Sequence, residues 1–186
     1  MLLLVGLGNP GSNYSNTRHN IGFKIIDAIN SHFKLSKQKP KFKGLLTTGN
    51  VEDKKVYAIK PLTFMNNSGI CIRELIEYFK IDAEDVIVFH DDLDLEFGKV
   101  KAKFAGSSAG HNGIESIDKF IGKDYSRVRI GIGRPKTKAD VSDHVLKDFD
   151  EDEMLHLEKI TKNIIDSMPI LIDKKLDLFS STVNNK

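Results

Sequence analysis

The chain has 186 residues, of which 40% are hydrophobic and 29% are charged, and its formal net charge is +2 at pH 7. This composition is typical of a globular protein in water and excludes the disordered and membrane-spanning classes. The single cysteine, Cys71, excludes an internal disulfide framework and is typical of a reducing compartment, so we expect a cytoplasmic protein. With no linker composition, residues 1–186 are expected to form a single domain, without a signal peptide or membrane span.

Charge is distributed unevenly along the chain. Residues 99–138 contain ten Lys and Arg against three Asp and Glu, whereas residues 139–186 contain six against eleven. A second basic cluster lies in SHFKLSKQKPKFKG, whose Pro and Lys content is typical of an exposed loop; its members are Lys34, Lys37, Lys39, Lys41 and Lys43. Such surfaces are either simply solvated or bind a polyanion, and the sequence leaves both possibilities open.

Predicted strands and helices alternate in the first half of the chain. LLLVGL is an apolar run typical of a strand buried on both faces. In IGFKIIDAINSHF, apolar residues recur every four positions, which predicts an amphipathic helix with Asn20 as its N-cap. GLLTTGNVE and KVYAIKP then predict a hairpin, and ICIRELIEYF a second helix.

The second half continues this alternation. VIVFH predicts a buried strand, and the alternation in GKVKAKFAG places Lys99, Lys101 and Lys103 on one face of another. A helix through IESIDKFI precedes the strand SRVRIGIG, in which Arg127 and Arg129 share a face. The acidic segment DEDEMLHLEKITKNIIDSM predicts a helix that Pro169 breaks or bends. This order of elements predicts an α/β sandwich with a mixed sheet.

Three motifs suggest chemistry that the rest of the sequence supports weakly. Gly6, Gly8 and Gly11 form G-x-G-x-x-G, but neither the helix nor the acidic residue that a dinucleotide site requires follows them. GSSAG fits G-x-S-x-G with Ser108 as a nucleophile, and this serine-hydrolase interpretation remains a competitor. HDDLDLE lacks the glycine and glutamate of an EF-hand, although single carboxylates for Mg²⁺ remain possible.

Polar residues at the ends of predicted strands point to a different site. A histidine near neutral pKa is a natural general base, a carboxylate can orient it, and carboxamides offer donors and acceptors to an amide-like ligand. Loops that follow strands are where ligand sites of α/β folds collect. The set predicts a hydrolytic site built from Asn9, His19, Asn66, Asp91 and Asn112.

Six separated motifs resemble those of the bacterial peptidyl-tRNA hydrolases, in the same order and with similar spacing. They are VGLGNPG, Tyr14 with TRHN, PLTFMNNSG, HDDLDL, GSSAGHNG and RVRIGIGRP, and they cover residues 1–150 approximately. The resemblance implies a single-domain three-layer α/β/α sandwich with a twisted mixed sheet. It also implies a monomeric esterase, without metal or cofactor, that cleaves the bond between a peptide and the 3′-terminal ribose of tRNA and so recycles tRNA from aborted translation.

The resemblance also implies roles for individual residues. His19 corresponds to the general base that activates water, Asp91 to the carboxylate that orients it, and Asn9 to a residue that distinguishes blocked from free aminoacyl-tRNA. Tyr14, Phe64, Asn66 and Asn112 resemble substrate contacts, with Met65 and His111 as neighbours. Ser107, Ser108 and Ala109 stand where relatives often carry more glycine, which bears on the mobility of that loop.

The basic strands suggest how tRNA would be held. Their side chains would contact phosphates of the acceptor arm without reading sequence; they are Lys99, Lys101, Lys103, Arg127, Arg129 and Arg134, with Lys103 and Arg129 as the principal candidates. A domain that binds tRNA or another RNA without catalysis would use the same face. A pocket that brings His19 within hydrogen-bond reach of Asp91 distinguishes the enzyme from such a domain.

Overall fold

The computed structural model describes residues 1–186 and contains one seven-stranded sheet. Its strands are β1 (Leu2–Gly6), β2 (Lys39–Lys41), β3 (Gly44–Val51), β4 (Lys54–Pro61), β5 (Val86–Asp92), β6 (Val100–Phe104) and β7 (Ser126–Gly131). They lie in the order β2-β3-β4-β1-β5-β7-β6. The four strands β4, β1, β5 and β7 are parallel to one another, and the outer strands pair antiparallel. The predicted mixed sheet is therefore confirmed.

Helices cover both faces of this sheet. They are α1 (Ile21–His32), α2 (Ser68–Phe79), α3 (Asn112–Ile121), α4 (Val141–Leu146), α5 (Glu151–Asp166), α6 (Met168–Ile172) and α7 (Leu176–Asn184). Leu2 and Leu4 of β1 pack with α1, α5, α6 and α7, whereas Leu3 and Val5 pack with α2 and α3. Because β1 is buried on both sides, its sequence is apolar throughout. The three-layer α/β/α sandwich is confirmed.

The first glycine of the G-x-G-x-x-G pattern serves helix packing. A Cβ on Gly6 would lie 2.2 Å from the carbonyl oxygen of Gly22 in α1, and a Cβ on Gly22 would lie 2.3 Å from the Leu7 nitrogen. The pair lets α1 approach β1 closely, and α1 begins only at Ile21. Gly11 has a positive φ of 110° and provides the turn after the strand. No helix starts at Gly8, as a dinucleotide site would require.

Several local predictions need correction. The lysine-rich segment is exposed as expected, but it contains the edge strand β2, whose lysines discourage further strand pairing. Asn20 precedes α1, but its side chain does not cap the helix, because it bonds to the backbone of Asn9 instead. Helices α4 and α7 were not predicted. The break at Pro169 is confirmed, since α5 ends at Asp166 and the proline occupies the first turn of α6.

The strand order determines where polar loops converge. Chain connections leave β1 toward β4 on one side, while β5 lies on its other side, so the carboxyl ends of these three parallel strands form a topological switch point. Ligands of open α/β sheets bind at such points. The loops that follow β1 and β4 carry Asn9 and Asn66, and β5 ends at Asp92, so these three residues lie at the same edge of the sheet.

None of the helices combines the length and the apolar composition that crossing a membrane requires.

Candidate active site

A histidine and an aspartate form the centre of the site. His19 lies in a single helical turn, Arg18–Asn20, just before α1, and Asp91 lies near the end of β5. The Nδ1 atom of His19 is 2.9 Å from each carboxylate oxygen of Asp91. Both side chains are buried. The sequence-based expectation that these two residues meet within hydrogen-bond reach is thus met by the geometry.

His111 is a second imidazole bonded to the same carboxylate. Its Nε2 atom lies 2.9 Å from Oδ1 of Asp91, while its Nδ1 accepts backbone N–H groups of Gly113 and Ile114 at 3.1 and 3.3 Å. A nitrogen that accepts N–H bonds carries no proton, so the His111 proton must lie on Nε2 and point at Asp91. His111 therefore caps α3 and donates to Asp91 as a neutral imidazole.

The charges of this trio set the ionisation of its members. Burial opposes protonation of His19, but the negative charge of Asp91 and its hydrogen bond outweigh burial, so the pKa of His19 is raised. Burial alone would raise the pKa of Asp91, yet the two imidazoles hold it well below its ordinary value. Asp91 is therefore a carboxylate that accepts two N–H bonds. His19 donates from Nδ1, which leaves Nε2 with a lone pair and no protein partner.

The buried trio could be mistaken for a metal centre. One potential ligand atom from each of His19, Asp91 and His111 lies within 4.8 Å of the others. Metal ligation requires a lone pair on each imidazole nitrogen. The Nε2 of His111 carries a proton for the reason given above, so this donor set suits a hydrogen-bonded trio better than a metal ion.

His90 contacts two members of this trio, Asp91 and His111. Its Nδ1 donates to the backbone oxygen of Asp91 at 2.7 Å, and its ring packs edge-on against His111 at 5.0 Å between centroids. Burial lowers the pKa of His90 to about 3, so it stays neutral. His90 is the first residue of the HDDLDL motif, but no role could be assigned to it from the sequence.

Asn9 is held with its amide nitrogen facing the cavity. Its Oδ1 accepts the backbone N–H of Met65 at 2.8 Å, which fixes the side-chain orientation and leaves Nδ2 without a protein partner. The backbone of Asn9 is held in turn by Asn20, whose Oδ1 accepts the N–H and whose Nδ2 donates to the carbonyl, both at 2.9 Å. Asn20 is thus a supporting residue rather than the helix cap that the sequence suggested.

The site opens into a cavity of about 550 Å³. Eight of the sequence-predicted site residues line it, namely Asn9, His19, Phe64, Met65, Asn66, Asp91, His111 and Asn112. The side chains of Asn66 and Asn112 are exposed and make no hydrogen bonds within the protein. Tyr14 stands outside the cavity, where its ring meets the edge of the exposed Phe64 ring at 6.5 Å. Lys103 and Arg129 also do not line it.

One wall of the cavity comes from a segment that the sequence did not indicate. Helix α4 contributes Val141, Val145 and Leu146, which give this side an apolar surface. Arg18 attaches the segment to the histidine turn, because its Nη1 lies 3.3 Å from the backbone oxygens of His144, Lys147 and Asp148. Its Nη2 is paired with Glu153 of α5 at 3.0 Å. The TRHN segment, residues 17–20, therefore contains both the proposed base, His19, and Arg18, which holds the cavity wall formed by α4.

Ser108 lies in the cavity wall without the partners of a nucleophile. Its hydroxyl is 3.4 Å from Glu115 and bonds to no histidine. His144, a downstream histidine that could serve as its base, has its Nε2 bonded to backbone oxygens of Ile132 and Gly133. A serine nucleophile needs an adjacent base that is itself oriented. No such triad is assembled around Ser108.

The acidic motif after β5 is used for pairing with arginines. Asp92 binds Arg129 at 2.7 Å and accepts the backbone N–H of Asp94 at 2.7 Å. Asp94 pairs with Arg134 at 2.7 Å. These carboxylates therefore neutralise part of the basic strands, and Asp91 is the only acid of the three that faces the histidines.

The basic face formed by β6 and β7 is smaller than expected. Lys101 and Lys103 lie opposite Arg129 and Arg127 in the antiparallel pair. Lys103 has no carboxylate in salt-bridge contact; burial and the neighbouring Arg129 and Arg127 lower its pKa, which reflects the surrounding positive charge. Arg129 keeps only 19% of its side chain exposed and is paired with Asp92.

The expectation that Arg127 binds phosphates is wrong. Its side chain is 1% exposed and is paired with Asp118 of α3 at 2.9 Å. Alternation along β7 places Arg127 and Arg129 on the same face, but α3 and the loop before it cover Arg127. A guanidinium enclosed in this way cannot reach a ligand on the surface.

Comparisons with known proteins agree with the six motifs. The family model described as peptidyl-tRNA hydrolase matches residues 3–186. A peptidyl-tRNA hydrolase of Pelagibacter ubique (strain HTCC1062) is 91% identical over 186 residues, covering 100% of both chains. One from Bacillus subtilis (strain 168) is 48% identical over 160 residues, or 86% of this chain and 85% of its own.

A solved structure is similar over nearly the whole chain. The peptidyl-tRNA hydrolase of Acinetobacter baumannii superposes with a TM-score of 0.93 at 34% identity, covering 99% of this chain and 94% of its own. The similarity extends beyond the first 150 residues or so, where the sequence motifs end, and includes the acidic helices of the carboxyl-terminal part.

Proposed function

The chain belongs to the peptidyl-tRNA hydrolase family, and we propose that its His19 activates a water molecule to cleave the ester bond between a peptide and the 3′-terminal ribose of tRNA. The enzyme is a carboxylic ester hydrolase. The observation that carries the proposal is the lone pair on Nε2 of His19, in a cavity that Asn9 also lines.

The proposed reaction begins with proton removal. Nε2 of His19 takes a proton from water as the oxygen attacks the ester carbonyl carbon, and Asp91 stabilises the resulting imidazolium. The tetrahedral intermediate then expels the ribose 3′ oxygen, which recovers the proton from His19 as it leaves. The products are the peptide acid and a free 3′ hydroxyl, and the protein forms no covalent intermediate. General base catalysis of this type contributes ~10²- to 10⁴-fold.

Asn9 is proposed to select substrates whose amino group is blocked. Its Nδ2 donor would bind the carbonyl oxygen of the acyl group on the amine, since its own Oδ1 is occupied by Met65. An unblocked aminoacyl-tRNA would bring an ammonium, whose N–H groups face a donor that cannot accept them. A buried donor without a partner costs about 1–3 kcal/mol, and this cost favours the blocked substrate.

The tRNA would lie over β6 and β7. Lys103 is the best-placed phosphate ligand because no carboxylate pairs with it, with Arg129 beside it and the exposed Lys101 on the same strand pair. Tyr14, Phe64, Asn66 and Asn112 would contact the 3′ end and the peptide. We also propose that the protein acts as a monomer, in the cytoplasm where translation supplies its substrate.

The proposal is tested by hydrolysis of N-acetyl-aminoacyl-tRNA and of the same aminoacyl-tRNA without the acetyl group. We expect the purified protein to release tRNA from the blocked substrate and to act much more slowly on the free one. The protein is treated with EDTA and dialysed into a buffer that contains only monovalent cations. This treatment should not change the rate at which it hydrolyses a prefolded acceptor-stem substrate. Binding of this substrate without release would favour the alternative, an RNA-binding domain without catalysis.

A further inference from the structure

The buried guanidinium of Arg127 is a charged group that the proposed mechanism leaves without a role. Its side chain in β7 is 1% exposed, and arginine is rarely enclosed to this degree unless it is paired. Nη2 pairs with Asp118 of α3 at 2.9 Å. The Tyr125 hydroxyl donates to the same carboxylate oxygen at 2.8 Å, and the Tyr125 ring centre lies 4.7 Å from the guanidinium carbon.

The remaining contact of Arg127 reaches the loop in front of the catalytic cavity. Its Nη1 donates to the backbone oxygen of Ser107 at 2.8 Å. Arg127 is the only residue outside residues 105–111 whose side chain bonds to the main chain of that segment. The main chain of the loop is also bonded to its own serines and, from Ala105, to Tyr125, and its last residue, His111, is held through its side chain by Asp91 and the start of α3.

This loop has a backbone that needs such an anchor. Four of its residues have positive φ, and two of them are alanines, Ala105 at 57° and Ala109 at 48°. A residue with a Cβ in this region is strained and persists only when surrounding contacts hold it there. The strained segment forms the cavity wall at Ser108, Ala109 and Gly110 and ends at His111.

The loop ends at His111, and the position of this residue matters for the proposed hydrolysis. His111 donates from Nε2 to Asp91, which in turn orients His19. A contact chain therefore runs from the Arg127 guanidinium through the Ser107 carbonyl and the loop to His111 and Asp91. The loop serines add bonds within the loop: the Ser107 hydroxyl accepts the N–H of Ala109 at 3.1 Å.

We propose that Arg127 is a positioning residue for the hydrolytic reaction, which fixes the loop of residues 105–111 so that His111 stays bonded to Asp91. This inference rests on the proposed roles of Asp91 and His19. It differs from a role in tRNA binding, because the guanidinium is enclosed. It also differs from a purely structural ion pair, because the bond to Asp118 alone would satisfy the charge without ordering the loop.

Arg127→Lys tests the proposal with the charge retained. A lysine ammonium can pair with Asp118 but lacks the planar fork that serves two acceptors at once. We expect kcat for N-acetyl-aminoacyl-tRNA to fall roughly tenfold or more, with KM nearly unchanged because the charges around Lys103 are kept. Amide hydrogen exchange at Ser108, Ala109, Gly110 and His111 should become faster.

Tyr125→Phe is the matched control. It removes one bond from the same buried network but leaves the bond from Arg127 to Ser107, so it should lower the melting temperature without changing kcat or exchange in the loop. Equal losses of kcat in both variants would overturn the proposal, as would a wild-type kcat in Arg127→Lys. Loop exchange in these variants does not depend on catalysis by His19, whereas His19→Ala tests the proposed function without altering the loop.

If Arg127→Lys does not fold, exchange in the wild-type protein decides the matter. The N–H of His111 bonds to the carbonyl of Ser108 within the loop, so its exchange reports opening of the loop. The proposal predicts protection comparable to that of the first turn of α3. Exchange as fast as in an unstructured peptide would contradict it.

Discussion

His19 is the residue whose ionisation determines when the proposed enzyme works. The base must be neutral, and the negative Asp91 raises the pKa of His19 despite burial. The rate of hydrolysis is therefore expected to fall as pH decreases through the pKa of His19, which lies above the pKa of an ordinary histidine. The same raised pKa stabilises the folded protein below the pKa of the unfolded histidine, and this contribution is lost as pH rises through the folded value.

The first prediction concerns this ionisation. The single-turnover rate should rise with pH and level off above the pKa of His19. Asp91→Asn removes the charge that raises this pKa, while burial remains, so the midpoint of the profile should move to lower pH and the plateau rate should fall. The checks are rate profiles of both proteins and NMR titration of His19. A midpoint that does not move would contradict the role of Asp91.

The second prediction concerns the Asn9 donor. Asn9→Asp keeps an oxygen for the Met65 N–H but replaces the donor that faces the cavity with an acceptor. The preference for blocked over free aminoacyl-tRNA should fall by on the order of tenfold to a hundredfold, as measured by the ratio of kcat/KM values. Asn67→Asp is the control, because Asn67 is exposed and does not line the cavity at His19. This variant should keep the wild-type ratio of kcat/KM values.

The residues that line the cavity were easier to recognise from the sequence than the residues that hold them in place. Asn9, His19 and Asp91 were recognisable because polar side chains at the boundaries of strands and helices are conspicuous beside buried apolar runs. Asn20 was interpreted as a helix cap, since an asparagine before a helix has the same appearance whether it caps or supports a distant backbone. Arg127 was misplaced because alternation gives the face of a strand but not what covers that face.

At the scale of elements, the glycine- and serine-containing loop of residues 106–110 distinguishes the two hydrolytic mechanisms. In a serine hydrolase this loop would present Ser108 to a base. Here the Ser108 hydroxyl lies near Glu115, and the loop leads to His111, which caps α3 and donates to Asp91. The loop thus supplies a wall and a positioned imidazole.

The third prediction follows from this arrangement. Ser108→Ala should retain activity within about tenfold of wild type, since a lost serine nucleophile costs on the order of a millionfold. The measurement is kcat/KM for N-acetyl-aminoacyl-tRNA, with exchange in the loop as a check on its order. Loss of nearly all activity with the loop unchanged would instead support a serine nucleophile.

The elements that sequence missed are those fixed by distant contacts. Long periodic segments such as α1 and the apolar strands β1 and β5 were recognisable locally. Helix α7 contains Ser, Thr and Val, which favour helices weakly, and it is stabilised by Phe179 and Val183 in the core. Helix α4 has six residues and no fully buried side chain. Its carboxyl end is held by Arg18, which precedes α1 in the chain and donates to the backbone oxygen of His144.

Across the whole molecule, the charged strands and the cavity lie on neighbouring parts of the sheet. Strand β7 is adjacent to β5, which carries Asp91, and β6 is the edge strand beyond it. With strands about 4.8 Å apart, the basic face begins roughly one or two strands from the proposed base. A polyanion held on that face can therefore place its end in the cavity.

The fourth prediction concerns tRNA affinity. Lys103→Met should weaken binding of tRNA and reduce the slope of log K against log salt by roughly one unit, while the rate of the bound substrate changes less. Lys162→Met is the control, because Lys162 is an exposed residue of α5 that pairs with Asp166 away from this face. An unchanged slope in Lys103→Met would place the tRNA elsewhere.

The proposed reaction depends above all on His19 as the base that activates water. The most direct test is the single-turnover hydrolysis of N-acetyl-aminoacyl-tRNA by His19→Ala at saturating enzyme, compared with wild type. We predict a rate lower by ~10²- to 10⁴-fold, with tRNA affinity and melting behaviour close to wild type. A single-turnover rate near that of wild type would contradict it.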